Sequence, residues 1–318
     1  ILASGPSAEW TLAAEALAVE GSKVYGWVPK DEQFVVVDEA GKEKSRIGTK
    51  GATGPSSTKG SMGFAVSPKL GLYVSDTPSN RLQHFLPDGT WKENVAEGTG
   101  FFDSKKKEGR VKAPRGVAIN EQGTVYVADA GNRRVDAFSP EGVFLFGIGP
   151  TGVGALEFQE PTAVAWDKNR FLYIVDKGLR KVIKCEPSGA YIASWGEAGS
   201  GPGQFQEPVS IAFDGRSYVY VLDAKLRRVS VYSTEGRWMT DLFGGGEDEH
   251  SLSEPVALAV QGSRLLIADR ARGKVLVFDL HMRLAAPTGL AAATKAGAVA
   301  LTWKPVADAW TDGYKVQR

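Results

Sequence analysis

Residues 123–142 read GTVYVADAGNRRVDAFSPEG. This stretch contains two short runs of β-branched and aromatic residues, 125–127 and 135–138, with a polar turn between them and a Pro-x-Gly turn after them. Runs of this kind, bounded by Gly, Pro, Asn and Asp, are typical of β-strands joined by tight turns. The same pattern recurs without gaps at 70–89, 170–189, 217–236 and 263–282, and in a weaker copy at 22–41.

A short apolar segment with an alanine at a fixed place precedes every copy. These alanines are Ala18, Ala65, Ala118, Ala165, Ala212 and Ala259, at steps of 47, 53, 47, 47 and 47 residues. Four short strands in about 47 residues is the period of a β-propeller blade. The sequence therefore predicts an all-β fold in which six blades close into a ring.

The repeat also resembles a known family. The succession Pro-x-x-Val-Ala, Tyr-Val-x-Asp, Asn-Arg-x-Val and Phe-x-Pro-x-Gly is similar to the NHL repeat. The best-matching residues are Pro114, Val117, Ala118, Tyr126, Val127, Asp129, Asn132, Arg134, Val135, Phe138, Pro140 and Gly142. The resemblance implies a six-bladed NHL propeller over residues 1–284 that binds a protein or a ligand through one face.

Blade one departs from the pattern, with Ala14 in place of the proline and Val28 in place of the aspartate. The stretch from Thr11 to Glu20 is rich in Ala, Leu and Glu, a composition that favours a helix. The repeat register instead places Leu17 to Val19 in the innermost strand of blade one, and we expect the register to prevail.

Blade six shows only three strands before the repeat ends near Leu280. Residues 1–4 (ILAS) resemble residues 191–194 (YIAS), which form the predicted fourth strand of blade four. We therefore expect the N-terminal segment, residues 1–6, to pair as the outer strand of blade six. Such a closure hides sheet edges and joins the two ends of the ring.

Residues 285–318 no longer fit the repeat. Their Pro287, the run 299–303 (VALTW) and the run 313–316 (GYKV) resemble the first three strands of a fibronectin type III domain. A sandwich of that kind needs about 100 residues, so we expect the natural protein to continue past Arg318. By analogy, a propeller joined to such a module predicts a bacterial, extracytoplasmic protein (periplasmic, at the cell surface or secreted).

Five blades carry an aspartate and, five residues later, a base. The pairs are Asp76/Arg81, Asp129/Arg134, Asp176/Lys181, Asp223/Arg228 and Asp269/Lys274. One interpretation is a ring of charge that binds anions or metals. We favour a structural one, in which Asp accepts backbone amides in the turn and the base pairs with it or with an adjacent blade. Blade one has lost both members, with Val28 and Gln33 at these places.

Metal and thiol chemistry receive little support. His84, His250 and His281 fall at non-equivalent repeat positions, whereas metal-dependent lyases and lactonases of the six-bladed class need convergent ligands near the channel. We predict no zinc site and no cofactor. A calcium ion held in the channel by Asp or Asn side chains is an alternative that the sequence leaves open. Cys185 is predicted to be a buried, inert thiol, because it aligns with large apolar side chains, namely Phe85, Phe138, Tyr232 and Phe278.

The step of 53 places six extra residues between blades two and three. The loop contains an aromatic pair and a basic run, and loops carry function more often than scaffolds do. We take it as the candidate partner contact, the alternative being a tolerated, solvated insertion. The candidate residues are Phe101, Phe102, Lys105, Lys106 and Lys107.

Charge and composition narrow the function. Lys+Arg of 38 against Asp+Glu of 37 gives a net charge of +1, without the basic excess of a general nucleic-acid binder. No run of about 20 apolar residues predicts a membrane-spanning helix. We predict a non-catalytic binding or scaffold protein whose partner is another protein, within a larger cell-envelope assembly. The alternatives are an enzyme of the lactonase or lyase type with a channel metal, and an RNA-binding NHL domain.

Overall fold

The computed structural model describes residues 6–49, 57, 60–97, 109–149, 153–154, 156–216, 218–243, 251–280, 288–295 and 298–304. Over these residues the predicted all-β six-bladed propeller is confirmed. The first four strands of each blade form an antiparallel sheet, and strands adjacent in sequence are adjacent in space except at the outer edge of blade six. The short fifth strand of blade three pairs in parallel with the fourth. The innermost strands of neighbouring blades contact each other all the way round, including blade six with blade one, so the ring is closed.

The blades have the following strands, from the innermost outward. Those of blades one and two are Ala16–Glu20, Lys23–Val28, Gln33–Val37 and Glu43–Ile47, then Ser61–Ser67, Gly71–Asp76, Arg81–Phe85 and Trp91–Glu97. Those of blades three and four are Pro114–Ile119, Val125–Asp129, Arg134–Phe138, Phe144–Gly149 and the short Val153–Gly154, then Pro161–Trp166, Leu172–Asp176, Lys181–Cys185 and Tyr191–Trp195. Those of blades five and six are Pro208–Phe213, Tyr218–Asp223, Arg228–Ser233 and Trp238–Phe243, then Pro255–Gln261, Arg264–Asp269, Lys274–Asp279 and Ala8–Trp10. A 3-10 turn, Ala130–Asn132, follows the second strand of blade three.

The outer strand of blade six comes from the N-terminal segment, but from later residues than the predicted ones. Ala8 lies opposite Val277 and Trp10 opposite Val275. Trp10 thereby takes the place that Trp195 holds opposite Val182 in blade four. Residues 1–5 lie outside the described residues. The predicted alignment of residues 1–4 missed Trp10, whose burial beside Val275 sets this register.

In blade one the repeat register prevails over local helix propensity. Ala16–Glu20 is a strand whose residues pair with Lys23–Val28. Leu17 and Val19 pack against the core between blades six and one. Burial between blades outweighs a helix preference that amounts to only tenths of a kcal/mol per residue, so the prediction for Leu17 to Val19 is confirmed.

Small residues allow the innermost strands to approach closely. A Cβ atom on Gly116 would lie 2.7 Å from Ala163 Cα, and one on Gly63 would lie 2.6 Å from the Arg115 carbonyl oxygen. The residues at this place, two after the proline or its equivalent, are small in all six blades: Ala16, Gly63, Gly116, Ala163, Ser210 and Ala257. The recurrent alanine two residues later packs against the next blade, as Ala118 does in one cluster with Val164.

Cys185 lies in the apolar layer between blades three and four. Its side chain is 0% exposed, and burial raises the pKa of the thiol to about 12. The aligned aromatic residues are also buried: Phe85, Phe138, Tyr232 and Phe278. The prediction of a buried cysteine is confirmed, and the thiol stays protonated near neutral pH.

Beyond the propeller, Thr288–Lys295 and Ala298–Lys304 pair as an antiparallel hairpin, with Ala292 opposite Leu301. The predicted third strand, residues 313–316, lies outside the described residues, as does the proposed boundary at 284–285. Among the described residues, no helix has the length and apolar character needed to cross a membrane.

Candidate functional site

One face of the disc, which we name the loop face, carries the loops between blades and the turns between second and third strands. Asp176 shows how the two are joined. Its carboxylate accepts hydrogen bonds from Gln159 N (2.8 Å) and Glu160 N (2.9 Å) in the loop that enters blade four, and from Leu179 N (2.9 Å) in the turn. One buried carboxylate therefore holds loop and turn together through charge-assisted bonds.

The aspartates of the other blades act similarly. Asp223 accepts from Gln206 N and Glu207 N at 2.7 and 3.0 Å, and Asp269 accepts from Ser253 N and Glu254 N at 2.7 and 3.1 Å. Asp129 accepts from Lys112 N at 2.6 Å, and Asp76 from Ser79 N in its own turn at 3.3 Å. All five side chains are almost completely buried, so these bonds also satisfy charges that would otherwise be costly to bury.

The bases five residues later do not share one partner. Arg81 contacts Asp76 at 2.7 Å and Arg134 contacts Asp129 at 3.2 Å. Arg228 instead pairs with Asp241 at 3.2 Å and donates to the carbonyls of the loop that enters its own blade, at Ser200, Gly201 and Gln204. Lys274 pairs with Glu9 of the N-terminal strand at 2.6 Å. Lys181 is exposed and makes no ion pair within the described part of the chain.

Blade three holds a larger buried cluster than the other blades. The Nε atom of Arg134 lies 3.2 Å from Asp129 and 2.8 Å from Asp136, and Asn132 donates to Asp129 at 2.7 Å. Both carboxylates are 0% exposed. Burial and the neighbouring charge of Asp129 raise the pKa of Asp136 to about 8. Two buried carboxylates around one guanidinium do not both ionise readily, so the cluster favours the protonated form of Asp136 beside the charge of Asp129.

This cluster fixes one end of the loop that enters blade three. Asn132 and Arg134 both donate to the Arg110 carbonyl at 3.1 Å, and Asp129 accepts from Lys112 N. The candidate partner residues belong to the same loop, a few positions upstream, and all of them lie outside the described residues: Phe101, Phe102, Lys105, Lys106 and Lys107.

The innermost strands enclose a central channel of about 320 Å³. At the loop face it opens into a mouth of about 230 Å³, and the two cavities share Glu15, Thr162, Val209 and Val256 in their walls. The mouth is charged because the residues just before each first strand and just after each second strand converge there. Its charged lining residues are Glu15, Arg115, Lys177, Glu207 and Arg270.

Most of these charges are paired around the rim. Lys177 lies 3.3 Å from Glu160 and 3.2 Å from Glu207. Arg270 lies 2.5 Å from Glu254 and 3.6 Å from Glu15, and its hydrogen bond lowers the pKa of Glu254. Sequence reasoning missed this rim, although its signal is a charged residue beside the proline in several repeats.

Metal ligands do not converge at the mouth within the described ranges, where no group of three or more His, Cys, Asp or Glu side chains is arranged to hold a metal ion. His84 lies near the other face, because its Nε2 atom contacts the carbonyl of Leu70, in a turn between first and second strands, at 2.6 Å. Its ring stacks on Tyr73 at 4.2 Å, and burial lowers its pKa. His250 and His281 lie outside the described residues.

Comparison with known families identifies one repeat. Residues 113–138 match the NHL repeat. The match covers the first three strands of blade three, which contain the Asp129 and Arg134 cluster, and it agrees with the resemblance seen in the sequence. None of the curated proteins matches the chain.

Solved structures share the fold. A virginiamycin B lyase from Staphylococcus aureus is 13% identical, with a TM-score of 0.56 over 83% of this chain and 80% of that one. A nidogen/laminin complex gives 16% identity and a TM-score of 0.59 over 83% and 88% of the two chains. A Bacteroides thetaiotaomicron protein of unknown function is 13% identical, with a TM-score of 0.57 over 86% of this chain and 70% of that one. One neighbour is an enzyme and another a binding complex, so the shared propeller alone does not decide function.

Proposed function

We propose that this chain is a non-catalytic binding protein that holds another protein against the loop face of its propeller. The supporting observation is the fixed base of the loop that enters blade three, where Asp129, Asn132 and Arg134 bind its backbone at Arg110 and Lys112. A loop held at its base on a rigid scaffold has less conformational entropy to lose when it binds.

The charges of the channel mouth also favour binding over catalysis. Each glutamate of the rim already shares a lysine or arginine, and a carboxylate held in this way is a poor general base or metal ligand. Asp129 and Asp136 have raised pKa values, as catalytic carboxylates often do. They are nevertheless fully buried, and this supports a structural role in holding the loop.

Under the same proposal, residues 285–318 begin a fibronectin type III-like domain, and the protein acts in an extracytoplasmic assembly. The hairpin of Thr288–Lys295 with Ala298–Lys304 supports the first part, since the first two strands of such a domain pair in this way. The second part rests on analogy with other proteins that combine a propeller with such a module.

A crosslinking pull-down from the native source tests the proposal. The variant is the triple substitution Lys105→Glu, Lys106→Glu and Lys107→Glu. The matched control carries the same charge change at three exposed lysines near the opposite face, Lys42, Lys69 and Lys92. We expect the same protein partner to be captured by the wild type and by the control, and at least tenfold less of it by the loop variant.

Equal recovery by the loop variant would remove that loop as the contact. Two further measurements address the alternatives. A stoichiometric metal in the purified protein, required for turnover of a lactone or a cyclic ester, would favour the enzyme. Salt-dependent binding of single-stranded RNA would favour the RNA-binding alternative.

A further inference from the structure

Arg115 differs from the other two cations of the channel mouth. Lys177 and Arg270 each hold two glutamates. The nearest acid to Arg115 is Glu160, 3.7 Å from its Nη2 atom, which is too far for a hydrogen bond. Its Nε atom is buried and has no hydrogen-bond partner in the described part of the chain. The guanidinium, which has five N–H donors, therefore lines the mouth with at least its buried Nε donor unsatisfied in the described part of the chain. A buried donor of this kind costs free energy unless a ligand supplies an acceptor.

The channel next to Arg115 has apolar side chains at its far end, although its wall exposes polar atoms as well. Its far end is lined by Val19, Val66, Ile119, Trp166 and Val260. Arg115 and Ile119 are four residues apart on the same innermost strand, which corresponds to about 13 Å along the strand. The channel volume of about 320 Å³ lies at the lower end of the range for small-molecule sites, roughly 300–1,000 Å³.

The position of Arg115 is fixed by the ring itself. On one side, a Cβ atom added to Gly63 would lie only 2.6 Å from the carbonyl oxygen of Arg115. On the other side, a Cβ atom added to Gly116 would lie 2.7 Å from Ala163 Cα. The backbone that carries the guanidinium is therefore wedged between the innermost strands of blades two and four. The backbone at this point therefore does not have to rearrange when the guanidinium binds a ligand.

We propose that the channel binds a small organic acid, with its carboxylate on Arg115 and its hydrocarbon or aromatic body in the channel. The planar guanidinium matches a carboxylate through two parallel hydrogen bonds. The charge of the rim favours a monoanion, because its four glutamates already share Lys177 and Arg270. Arg115 is then the cation left to balance a ligand, and it balances one negative charge. This site is separate from the proposed protein-binding loop, and neither depends on the other.

Isothermal titration calorimetry with decanoate, below its micelle concentration, tests the site. The neutral decan-1-ol serves as the matched probe. We expect decanoate to bind the wild type with one site and at least tenfold more tightly than the alcohol, since its carboxylate makes charge-assisted hydrogen bonds that the alcohol cannot make. The variant Arg115→Gln should lose about tenfold or more in decanoate affinity and little in alcohol affinity. Arg115→Lys keeps the charge but loses the planar pair of N–H donors, so its decanoate affinity should fall between those of the wild type and Arg115→Gln.

Two controls separate this site from unspecific binding. Lys92→Gln removes an exposed cation elsewhere and should leave decanoate binding unchanged. Val209→Phe narrows the passage between mouth and channel and should weaken both probes, while a melting curve shows that the variant is folded. No binding of decanoate to the wild type, or equal binding by folded Arg115→Gln or Arg115→Lys, would overturn the proposal. The partner pull-down is a different assay, so its failure would leave this result untouched.

Discussion

The buried carboxyl groups of Asp129 and Asp136 lie on one partly buried guanidinium, at 3.2 and 2.8 Å from the Nε atom of Arg134. Blade three has this second acid, whereas blades two, four, five and six have Gln83, Ile183, Ser230 and Leu276 at the same place. Burial, together with the neighbouring charge of Asp129, raises the pKa of this extra acid, Asp136, to about 8. It makes the stability of the propeller depend on pH.

The expected direction follows from proton binding. Asp136 holds its proton in the folded state up to about pH 8 but releases it near pH 3.9 in the unfolded chain. The contribution of Asp136 to the free energy of unfolding is therefore fully present below about pH 3.9 and is lost as the pH rises toward 8. Asp136→Asn removes this titration and keeps the shape. We expect the variant to match the wild type near pH 4 and to exceed it at pH 8 by on the order of 1–3 kcal/mol.

Chemical denaturation at pH 4, 6 and 8 measures the difference. Glu121→Gln, at an exposed acid, is the control and should show the wild-type pH profile. A difference between Asp136→Asn and wild type that stays constant with pH would contradict the shared-proton cluster.

Trp10 is the residue on which closure of the ring depends most. It is 5% exposed and packs with Val275 and Val277. Replacing a buried tryptophan by alanine costs about 3–5 kcal/mol, so Trp10→Ala should lower the melting temperature by several degrees. Trp238→Ala, at an outer-strand tryptophan that is 38% exposed, should have a much smaller effect. Similar losses in the two variants would argue against closure by residues 8–10.

The small residue at Gly116 should be essential for steric reasons. An added Cβ would lie 2.7 Å from Ala163 Cα and 2.9 Å from Val164 N, both of them backbone atoms that cannot move aside. We expect Gly116→Ala to destabilise the protein by about 1–3 kcal/mol. Gly215→Ala places its Cβ in open space and should be nearly neutral. Urea unfolding of the two variants compares them directly, and equal stabilities would show that the innermost strands can separate without cost.

Cys185 should not react in the folded protein. Its thiol is buried and its pKa of about 12 keeps it protonated, whereas thiol reagents need an accessible thiolate. We expect no colour with a disulfide reagent at pH 8 and one equivalent after denaturation in guanidinium. Ser188→Cys, at an exposed turn, should add one fast equivalent. Fast labelling of the wild type would mean that blades three and four separate readily.

Much of the fold could be predicted from the repeat. A strand pattern is local, because alternating apolar residues and turn residues can be recognised within twenty positions. That is why residues 16–20 could be placed in a strand against their helical composition, and why Cys185 could be placed in an apolar layer. The repeat also led to Asp176 and its counterparts as residues that bind backbone amides.

The partners of individual side chains could not be predicted in the same way. Arg228 and Lys274 occupy one repeat position, yet one binds Asp241 and loop carbonyls while the other binds Glu9 of the N-terminal strand. The partner of each base depends on which atoms from other segments come within hydrogen-bond distance, about 3 Å. The spacing of residues along the sequence does not give that distance.

The sequence by itself determined six blades, their strand order and the buried aspartates, because each of these is set by neighbours along the chain. Only the tertiary structure decided that Trp10 closes the ring and that Arg115 lies at the channel mouth with its Nε atom unsatisfied in the described part of the chain. Both depend on six innermost strands meeting around one axis, where residues from distant blades come together and share the same few ångströms of space.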